Sequence, residues 1–253
     1  MPFLASDAIV LHAFDYLESS RIMRLLVRDG GVRSALARGA RRSTRRFGTG
    51  LDLFVHGSAE LHVKPGRDLD TLDAFTVIRA RAALGEDLGR FSGASALVEL
   101  VLRFGRDDTD LGLFDAVDLA LDRIATAAPD GAAPASLAGA WCVLAALGFA
   151  PALDRCVECD TTVDEDEPSL FNHASGGLLC TRCAGSARGG RRLPPTARTA
   201  LRQWLTTGDA LELSAAEVRA HQRLLREFVR EHLADDRPLR AFDLWERTPW
   251  GEA

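Results

Sequence analysis

The sequence is poor in lysine: Lys64 is the only one, and arginine supplies the other 30 of the 31 basic residues. Because Lys64 is followed by Pro65, no phosphate-binding loop of the G-x-x-x-x-G-K-[ST] type is present. The motifs H-E-x-x-H, G-x-S-x-G and G-x-G-x-x-G are missing as well, and the six histidines are scattered along the chain. These absences give no positive support for an enzyme, and we expect neither catalysis nor a small-molecule substrate.

Long apolar runs are also scarce. Three acidic residues interrupt the first apolar run, and no basic segment precedes it, so no secretion signal is predicted. Residues 131–153 carry no charge, but this stretch is rich in alanine and has a proline near each end. It predicts a buried helix at about 136–148 rather than a membrane span. We therefore expect a cytoplasmic protein that does not enter membranes and keeps its cysteines reduced.

Charge is distributed unevenly along the chain, although the net charge is only −5. Residues 21–50 hold nine arginines and one acidic residue, whereas residues 79–150 hold six basic and ten acidic residues. A solvated charged face normally mixes both signs, so this basic block predicts nucleic-acid binding through phosphates without base reading. The nearest aromatic candidates for base stacking are Phe47 and Phe54, for which a place in the core is an equal alternative. The acidic part is expected to avoid DNA and to remain free for protein partners.

Two periodicities divide the chain. Residues 1–78 contain β-like runs at 8–14, 22–28, 32–38, 51–63 and 69–77, and the run at 51–63 is either one bent strand or two strands broken at Gly57. They predict an N-terminal five-stranded OB-type β barrel, with a two-sheet sandwich as the alternative. Residues 79–253 predict an all-helical domain with helices at 87–104, 113–124, 136–148, 195–205 and 214–233. The last helix begins with Ser214-x-x-Glu217, a capping-box pattern.

Four cysteines form two C-x-x-C pairs separated by 20 residues: Cys156, Cys159, Cys180 and Cys183. This spacing predicts a tetrahedral zinc knuckle carried by an insert at 154–185. Four thiolates leave no open coordination position, so a structural role is favoured over catalysis. A disulfide framework, a redox pair and an iron–sulfur cluster are the alternatives. Gly176 and Gly177 are expected to turn backbone N–H groups toward the sulfurs.

Three further features near this motif have simpler interpretations. His173 is interpreted as a solvent-facing loop residue rather than a fifth ligand, and the remaining cysteine, Cys142, as a core residue. The acidic runs at 107–110 and 164–167 are interpreted as solvated loops, with a Mg²⁺ site as the alternative.

Ordered segments over about 230 residues resemble the RecO family of bacterial recombination-repair mediators. The matching segments are AIVL at 8–11, ESSR at 18–21, GGVR at 30–33, ARGARR at 37–42, LF at 113–114, LGFAP at 147–151, LDRCVEC at 153–159, GGLLC at 176–180, HL at 232–233 and RPLR at 237–240. The resemblance implies an OB domain, a helical domain and one structural Zn²⁺ per chain held by the four cysteines named above.

The same resemblance implies a function. The protein would bind single- and double-stranded DNA without sequence preference, anneal complementary strands and, with RecR, help to load recombinase onto DNA coated by single-strand binding protein. It would be nucleoid-associated. The DNA contacts are assigned to eight arginines of the basic block: Arg21, Arg24, Arg33, Arg38, Arg41, Arg42, Arg45 and Arg46. An RNA- or ribosome-associated OB/zinc-ribbon module and a protein-interaction scaffold braced by zinc are the alternatives.

Overall fold

The computed structural model describes residues 2–42, 44–47, 51–106, 111–166, 169–233 and 238–247, without the side chains of residues 44, 45, 111 and 233. The N-terminal elements are β1 (Phe3–Tyr16), β2 (Ser20–Val27), β3 (Gly31–Ala37), α1 (Thr44–Phe47), β4 (His56–His62) and β5 (Asp70–Arg79). The five strands form a closed barrel in the order β1-β2-β3-β5-β4, in which β4 pairs back to β1 and β3 pairs with β5 in parallel. The predicted five-stranded OB-type barrel is confirmed, and the sandwich alternative is wrong.

Alternating side chains fill the barrel. Small and branched residues such as Ala8, Val10 and Leu25 point inward, together with Phe75 from β5. A bulge in β1 between Val10 and His12 shifts the register against β2. The residues of β1 that point outward therefore face different surroundings on the two sides of the bulge.

The fourth strand is shorter than the sequence predicts. β4 begins at His56, and the five residues before it form a turn rather than a strand. Phe54 adopts a φ of 68°, and its N–H donates to the Val10 carbonyl at 2.8 Å. Gly57 does not break β4; a Cβ atom there would lie 2.5 Å from a ring carbon of Phe75. Glycine is therefore required for close packing inside the barrel.

The remainder of the chain is helical around a small three-stranded sheet. In chain order its elements are α2 (Ala83–Glu86), α3 (Leu88–Phe104), α4 (Leu111–Thr126), α5 (Ala132–Ala146), β6 (Ser169–Asn172), β7 (Gly177–Leu179), α6 (Thr181–Ala184), β8 (Arg191–Leu193), α7 (Pro195–Thr206), α8 (Ala215–Leu233) and α9 (Arg240–Arg247), with a 3-10 turn at Pro129–Gly131. Two strands of the insert at 154–185, β6 and β7, form a sheet with β8, which follows the insert, in the order β7-β6-β8; this sheet was not predicted. Its strands are only three or four residues long, too short to show a period of two.

The four-residue helices α1, α2 and α6 were not predicted, and two longer helices also differ from prediction. α5 starts at residue 132, earlier than expected, because Pro134 lies in its first turn, where a missing N–H costs no intrahelical bond. α9 was not predicted at all. It is eight residues long, and it buries Phe242 and Trp245 against the helical core. Within the described residues, no helix is both long and apolar enough to cross a membrane.

A shared hydrophobic core joins the barrel to the helices. Outward-facing barrel residues, among them Ile9, Leu11 and Leu26, pack in one cluster with residues of α3, α4 and α5. Next to this cluster, the buried Arg81 donates to the Phe54 carbonyl at 2.7 Å and forms ion pairs with Asp118 and Asp122 of α4. The barrel and the helices thus share buried contacts of both apolar and ionic kinds.

The acidic residues of α4 are less free than the charge pattern predicted. Arg28 of the basic block is 2.7 Å from Asp115, and its guanidinium lies 4.2 Å from the centre of the Phe114 ring. Asp118 and Asp122 also pair with barrel-side arginines. Arginines brought close by the tertiary fold thus pair with these three carboxylates, and the use of the acidic surface by protein partners stays a prediction.

Candidate nucleic-acid interface and metal centre

Five arginines of the basic block converge at one end of the barrel, which we call the basic end: Arg21, Arg38, Arg41, Arg42 and Arg46. They come from the start of β2, from the turn after β3 and from α1. The Arg41 N–H donates to the Ser19 carbonyl at 3.1 Å, which holds that turn against the β1–β2 hairpin. Gly39, with a φ of +69°, gives the turn its left-handed residue.

The arginines of the basic end are available to a ligand. Arg42 leaves 74% of its side chain exposed, with Glu18 at 3.9 Å, and Arg41 is also 3.9 Å from Asp15. Exposed ion pairs of this length contribute little, about 0–1 kcal/mol, so phosphates can displace them at small cost. This end of the barrel therefore presents weakly paired positive charge to solvent.

Arg46 has a more defined position than its neighbours. Its Nε donates to the Asp73 carbonyl at 2.7 Å, and its guanidinium lies 4.9 Å from the centre of the Phe47 ring. Phe47 itself is buried inside the barrel, as Phe54 is in the core shared with the helices. Both phenylalanines are core residues, and neither is a stacking platform.

Of the eight arginines predicted to contact DNA, two lie away from the basic end and the side chain of one is not described. Arg33 reaches the buried Asp70 at 3.2 Å near the opposite end of the barrel, where its Nε also fills the space beside Gly30. Arg24 lies on the outer face of β2, where it donates to Ser34 at 3.2 Å. The side chain of Arg45 lies outside the described residues. A DNA contact by any of the eight stays a prediction.

The outer face of the barrel also carries aromatic residues that the sequence interpretation missed. His12, Phe14 and Tyr16 are exposed on β1, with 50% of Phe14 and 42% of Tyr16 open to solvent. The signal in the sequence was their spacing of two residues, which puts all three on one face of a strand.

The four cysteines of the two C-x-x-C pairs form one cluster, whose sulfur atoms all lie within 4.8 Å of one another. The Sγ atoms of Cys159 and Cys180 are 3.7 Å apart, whereas a disulfide bond would require about 2.05 Å. Four ligands at about 2.3 Å around a tetrahedral ion give sulfur separations close to 3.8 Å. The cluster therefore has the size and the donor atoms for one metal ion, and it is the only such group found in the described part of the chain.

The surroundings favour thiolates at the first pair of cysteines, whereas hydrogen bonds with neighbouring cysteine sulfurs, that of Cys159 first, raise the pKa of Cys183 to about 12. Hydrogen bonds from Thr161, followed by the Arg182 guanidinium, lower the pKa of Cys159 to about 5. The backbone N–H groups that stabilise the Cys156 sulfur come from Cys180, Cys159 and Glu158. The two glycines predicted for this purpose act elsewhere.

Gly176 and Gly177 shape the β6–β7 hairpin instead. Gly176 has a φ of +72° in the turn, and a Cβ atom on Gly177 would lie 2.5 Å from the Ala152 carbonyl. His173 is also different from expectation. It lies largely buried in the same hairpin, with its Nε2 3.0 Å from Glu227, and burial lowers its pKa. It does not belong to the cysteine cluster.

A buried arginine holds the insert on the helical core. The Arg198 guanidinium, on α7, donates to the carbonyls of Leu153, Val163 and Asp164 at 2.8, 3.0 and 2.6 Å. These carbonyls flank the first pair of cysteines in the sequence. Arg198 thus fixes both ends of the first knuckle from a helix that begins after the insert.

The remaining predicted features are of less consequence. Asp164 and Glu165 belong to the contacts of Arg198 and Arg202, and residues 107–110 and 167 lie outside the description. Cys142 is half-buried on α5 against Gly208, at a distance from the other four cysteines. Burial raises the pKa of its thiol.

Both parts of the chain match known proteins of the same kind. Residues 1–81 match the family model described as Recombination protein O N terminal, and residues 85–241 match Recombination protein O C terminal. The DNA repair protein RecO of Anaeromyxobacter sp. (strain K) is 37% identical over 233 residues, which is 89% of each chain. That of Nocardioides sp. (strain ATCC BAA-499 / JS614) is 32% identical over 180 residues, 70% of this chain and 72% of the relative. The chain belongs to the RecO family of DNA repair and recombination proteins.

Proposed function

We propose that this protein binds single- and double-stranded DNA through the basic end of its barrel, without reading sequence, and anneals complementary strands. The observation that carries the proposal is the convergence of five arginines from three chain segments on one solvent-facing end. Arginine is well suited to phosphate because its guanidinium offers several donors in a planar fork. Contacts of this kind fix a protein on nucleic acid without selecting a base sequence.

The proposed mechanism is physical and needs no catalytic group. Two DNA strands repel each other through their phosphates, and an arginine cluster that neutralises phosphates on both strands lowers the cost of bringing them together. Exposed arginines with weak acidic partners can exchange those partners for phosphates as the strands move.

We further propose that annealing serves the loading of recombinase onto DNA coated by single-strand binding protein, with RecR as a second partner, in the cytoplasm at the nucleoid. The functional units would be residues 1–78 for DNA and residues 79–253 for the helical part, with the metal-binding insert at 154–185. The membership in a DNA repair family supports this assignment.

The triple variant Arg38→Ala, Arg41→Ala and Arg42→Ala tests the main proposal. Each lost phosphate contact should flatten the dependence of log K on log salt by about 0.7 for single strands, so the total change should be about 2. We expect much slower annealing and a nearly unchanged melting temperature, because exposed charges contribute little to folding.

The matched control replaces three exposed arginines outside the barrel, Arg188, Arg219 and Arg223, with alanine. It removes the same charge and should keep both the salt dependence and the annealing rate. Equal DNA binding by the two triple variants would contradict the proposal. Stronger binding and annealing of RNA than of DNA would favour the RNA-associated module instead.

The metal is proposed to be one structural Zn²⁺ per chain, held by Cys156, Cys159, Cys180 and Cys183. Four thiolates in this compact arrangement suit zinc, and they leave no position for a catalytic water. When bound, zinc would join the knuckle between α5 and β6 to the β7–α6 knuckle by cross-linking their sulfurs.

Cys156→Ser tests this site. Because zinc contributes on the order of 10 kcal/mol to the folding of small zinc domains, we expect the variant to lose zinc and to melt at a lower temperature, with DNA affinity nearly retained while folded. Elemental analysis should find one zinc per chain in the wild type and in the control Cys142→Ser. A wild-type protein purified without chelators that contains no zinc would overturn the assignment.

A further inference from the structure

The outer face of β1 continues beyond the part that the helices cover. Before the bulge, Ile9 and Leu11 pack against the helical core. After the bulge, His12, Phe14 and Tyr16 point outward from the barrel and are exposed. One strand thus contributes first to the shared core and then to an open surface.

This open surface extends across neighbouring strands. His12 lies opposite Arg24 of β2, and Phe14 lies opposite Ile22. Ile22 in turn lies opposite Leu36 of β3, and both of these aliphatic side chains are only partly buried. We call the surface formed by His12, Phe14, Tyr16, Ile22 and Arg24 the aromatic face.

Two of the rings on the aromatic face support each other without a ligand. The rings of His12 and Phe14 are stacked, with centroids 4.2 Å apart and planes 17° from parallel. Residues two apart on a strand are separated by roughly 7 Å, so Tyr16 continues the same row toward the β1–β2 hairpin. Rigid aromatic rings lose little conformational entropy when they bind a flat ligand.

The row of rings leads directly to the basic end. Tyr16 pairs with Ser20, next to Arg21, and the hairpin that follows accepts a hydrogen bond from Arg41 at Ser19. Arg24 adds a cation beside His12. Flat apolar rings that adjoin exposed arginines match the chemistry of an unpaired nucleotide, which has an aromatic base on one side and a phosphate on the other.

We propose that the aromatic face stacks against unpaired bases of single-stranded DNA while the basic end holds the adjoining phosphates. This proposal rests on the DNA-binding function above and adds to it a means of distinguishing strand states. In a duplex the bases are paired and stacked on one another, so their faces are not available to the rings. When two strands anneal on the protein, the stacking contacts are lost and the affinity for the product falls, which releases the duplex.

The experiment compares three ligands with the double variant Phe14→Ala and Tyr16→Ala. The ligands are a thymidine oligonucleotide, an abasic single strand of the same length and a duplex of that length. Stacking on one ring is worth at least about a fivefold change in affinity, so the double variant should bind the thymidine strand about 25-fold more weakly. Its affinity for the abasic strand and for the duplex should change less than twofold.

Phe3→Ala is the matched control. Phe3 also lies on β1 and is 56% exposed, but it packs edge-on against His62 at the far end of the strand. It should bind all three ligands as the wild type does. The variant Phe14→Leu and Tyr16→Leu keeps apolar bulk without a ring; it should show the same selective loss if the alanine variant folds poorly.

The possible outcomes separate the two proposals. If both aromatic variants bind the thymidine strand like the wild type, while the triple arginine variant loses affinity, the stacking proposal is overturned and the DNA-binding function stands. If neither set of changes affects DNA, the function itself is wrong. If the aromatic variants alter only self-association of the protein, the face is a contact between copies of this chain and the stacking proposal fails.

Discussion

At the scale of single residues, arginine serves three different purposes in this protein. Arg42 is exposed at the basic end, Arg33 forms an ion pair with a buried aspartate, and Arg198 donates to three backbone carbonyls while almost completely buried. Burial lowers the pKa of Arg198, yet its guanidinium stays charged because arginine titrates so far above neutral pH. Partners that are distant in sequence therefore decide what each arginine does.

A buried histidine should make stability depend on pH. His221 on α8 packs against Trp204, with ring centroids 4.7 Å apart, and burial lowers its pKa to about 4 from the usual 6.5, although nearby Glu217 opposes the shift. Between pH 6.5 and 4 the unfolded chain binds a proton that the folded chain does not. The contribution of the neutral His221 side chain to the free energy of unfolding is therefore complete above pH 6.5. It is lost as the pH drops toward 4, so the protein becomes less stable.

Urea unfolding at pH 7 and at pH 4.5 measures this effect. We expect His221→Gln to reduce the loss of unfolding free energy between these pH values by roughly 2 to 3 kcal/mol, because each pKa unit corresponds to about 1.4 kcal/mol. His12→Gln removes an exposed histidine and should leave the loss unchanged. An identical pH dependence in wild type and His221→Gln would contradict the prediction.

At the scale of elements, helix starts are determined in two ways. α8 starts at a local capping box: the Ser214 N–H donates to Glu217 at 2.8 Å, and the Glu217 N–H donates to the Ser214 hydroxyl at 3.3 Å. α9 is capped from a distance, because Glu99 of α3 accepts from the N–H groups of Arg240, Ala241 and Phe242 at 2.9, 2.9 and 3.0 Å. The first cap was predictable from four residues of sequence, whereas the second required the tertiary fold.

Glu99→Ala should loosen α9 and leave the rest of the fold intact. The substitution leaves three N–H groups at a helix start without their acceptor and removes a favourable interaction with the helix dipole, a loss of about 1–2 kcal/mol. Hydrogen exchange in residues 240–247 should become faster, while exchange in α8 stays slow. The control Glu86→Ala changes an exposed glutamate on α2, and α9 of this variant should exchange at the wild-type rate. Equal protection of α9 in the Glu99→Ala and Glu86→Ala variants would contradict the prediction.

At the scale of the whole molecule, the barrel and the helices share a hydrophobic core and a buried ionic contact made by Arg81. The core combines outward barrel residues such as Leu26 with the faces of α3 and α4. Arg81 and Arg79 both pair with Asp118 and Asp122, but the Arg81 side chain is buried and the Arg79 side chain is half-exposed. These two neighbours therefore form a natural comparison between a buried and an exposed ion pair.

Arg81→Met should destabilise the protein by about 3 kcal/mol or more, because it leaves buried oxygen atoms without a donor. Arg79→Ala should change the unfolding free energy by no more than about 1 kcal/mol, because exposed pairs are weak. Chemical denaturation followed by tryptophan fluorescence, which reports on the helical part, and by circular dichroism measures both. Similar small losses for the two variants would show that the buried contact does not hold the two parts together.

Much of the architecture could be predicted from the sequence, because the relevant signals are short-range. Alternation over a few residues predicted the barrel strands, and a period of 3.6 predicted the long helices, although β4 began late because Phe54 and Val55 bond to β1. The two C-x-x-C pairs predicted the cysteine cluster. The three short strands and α9 were not predictable in this way, since their hydrogen bonds and burial depend on residues far along the chain.

The sequence by itself determined the five barrel strands and the long helices before α9, the four cysteines that share one cluster and the block of arginines that places positive charge on the barrel. These features depend on spacing of a few residues, which folding preserves. Only the tertiary structure decided which arginines are used inside the fold, since Arg33 meets Asp70 and Arg28 meets Asp115 across it. It alone placed Phe14 and Tyr16 beside the basic end, because a bulge and a change of packing along β1 determine where that strand leaves the core.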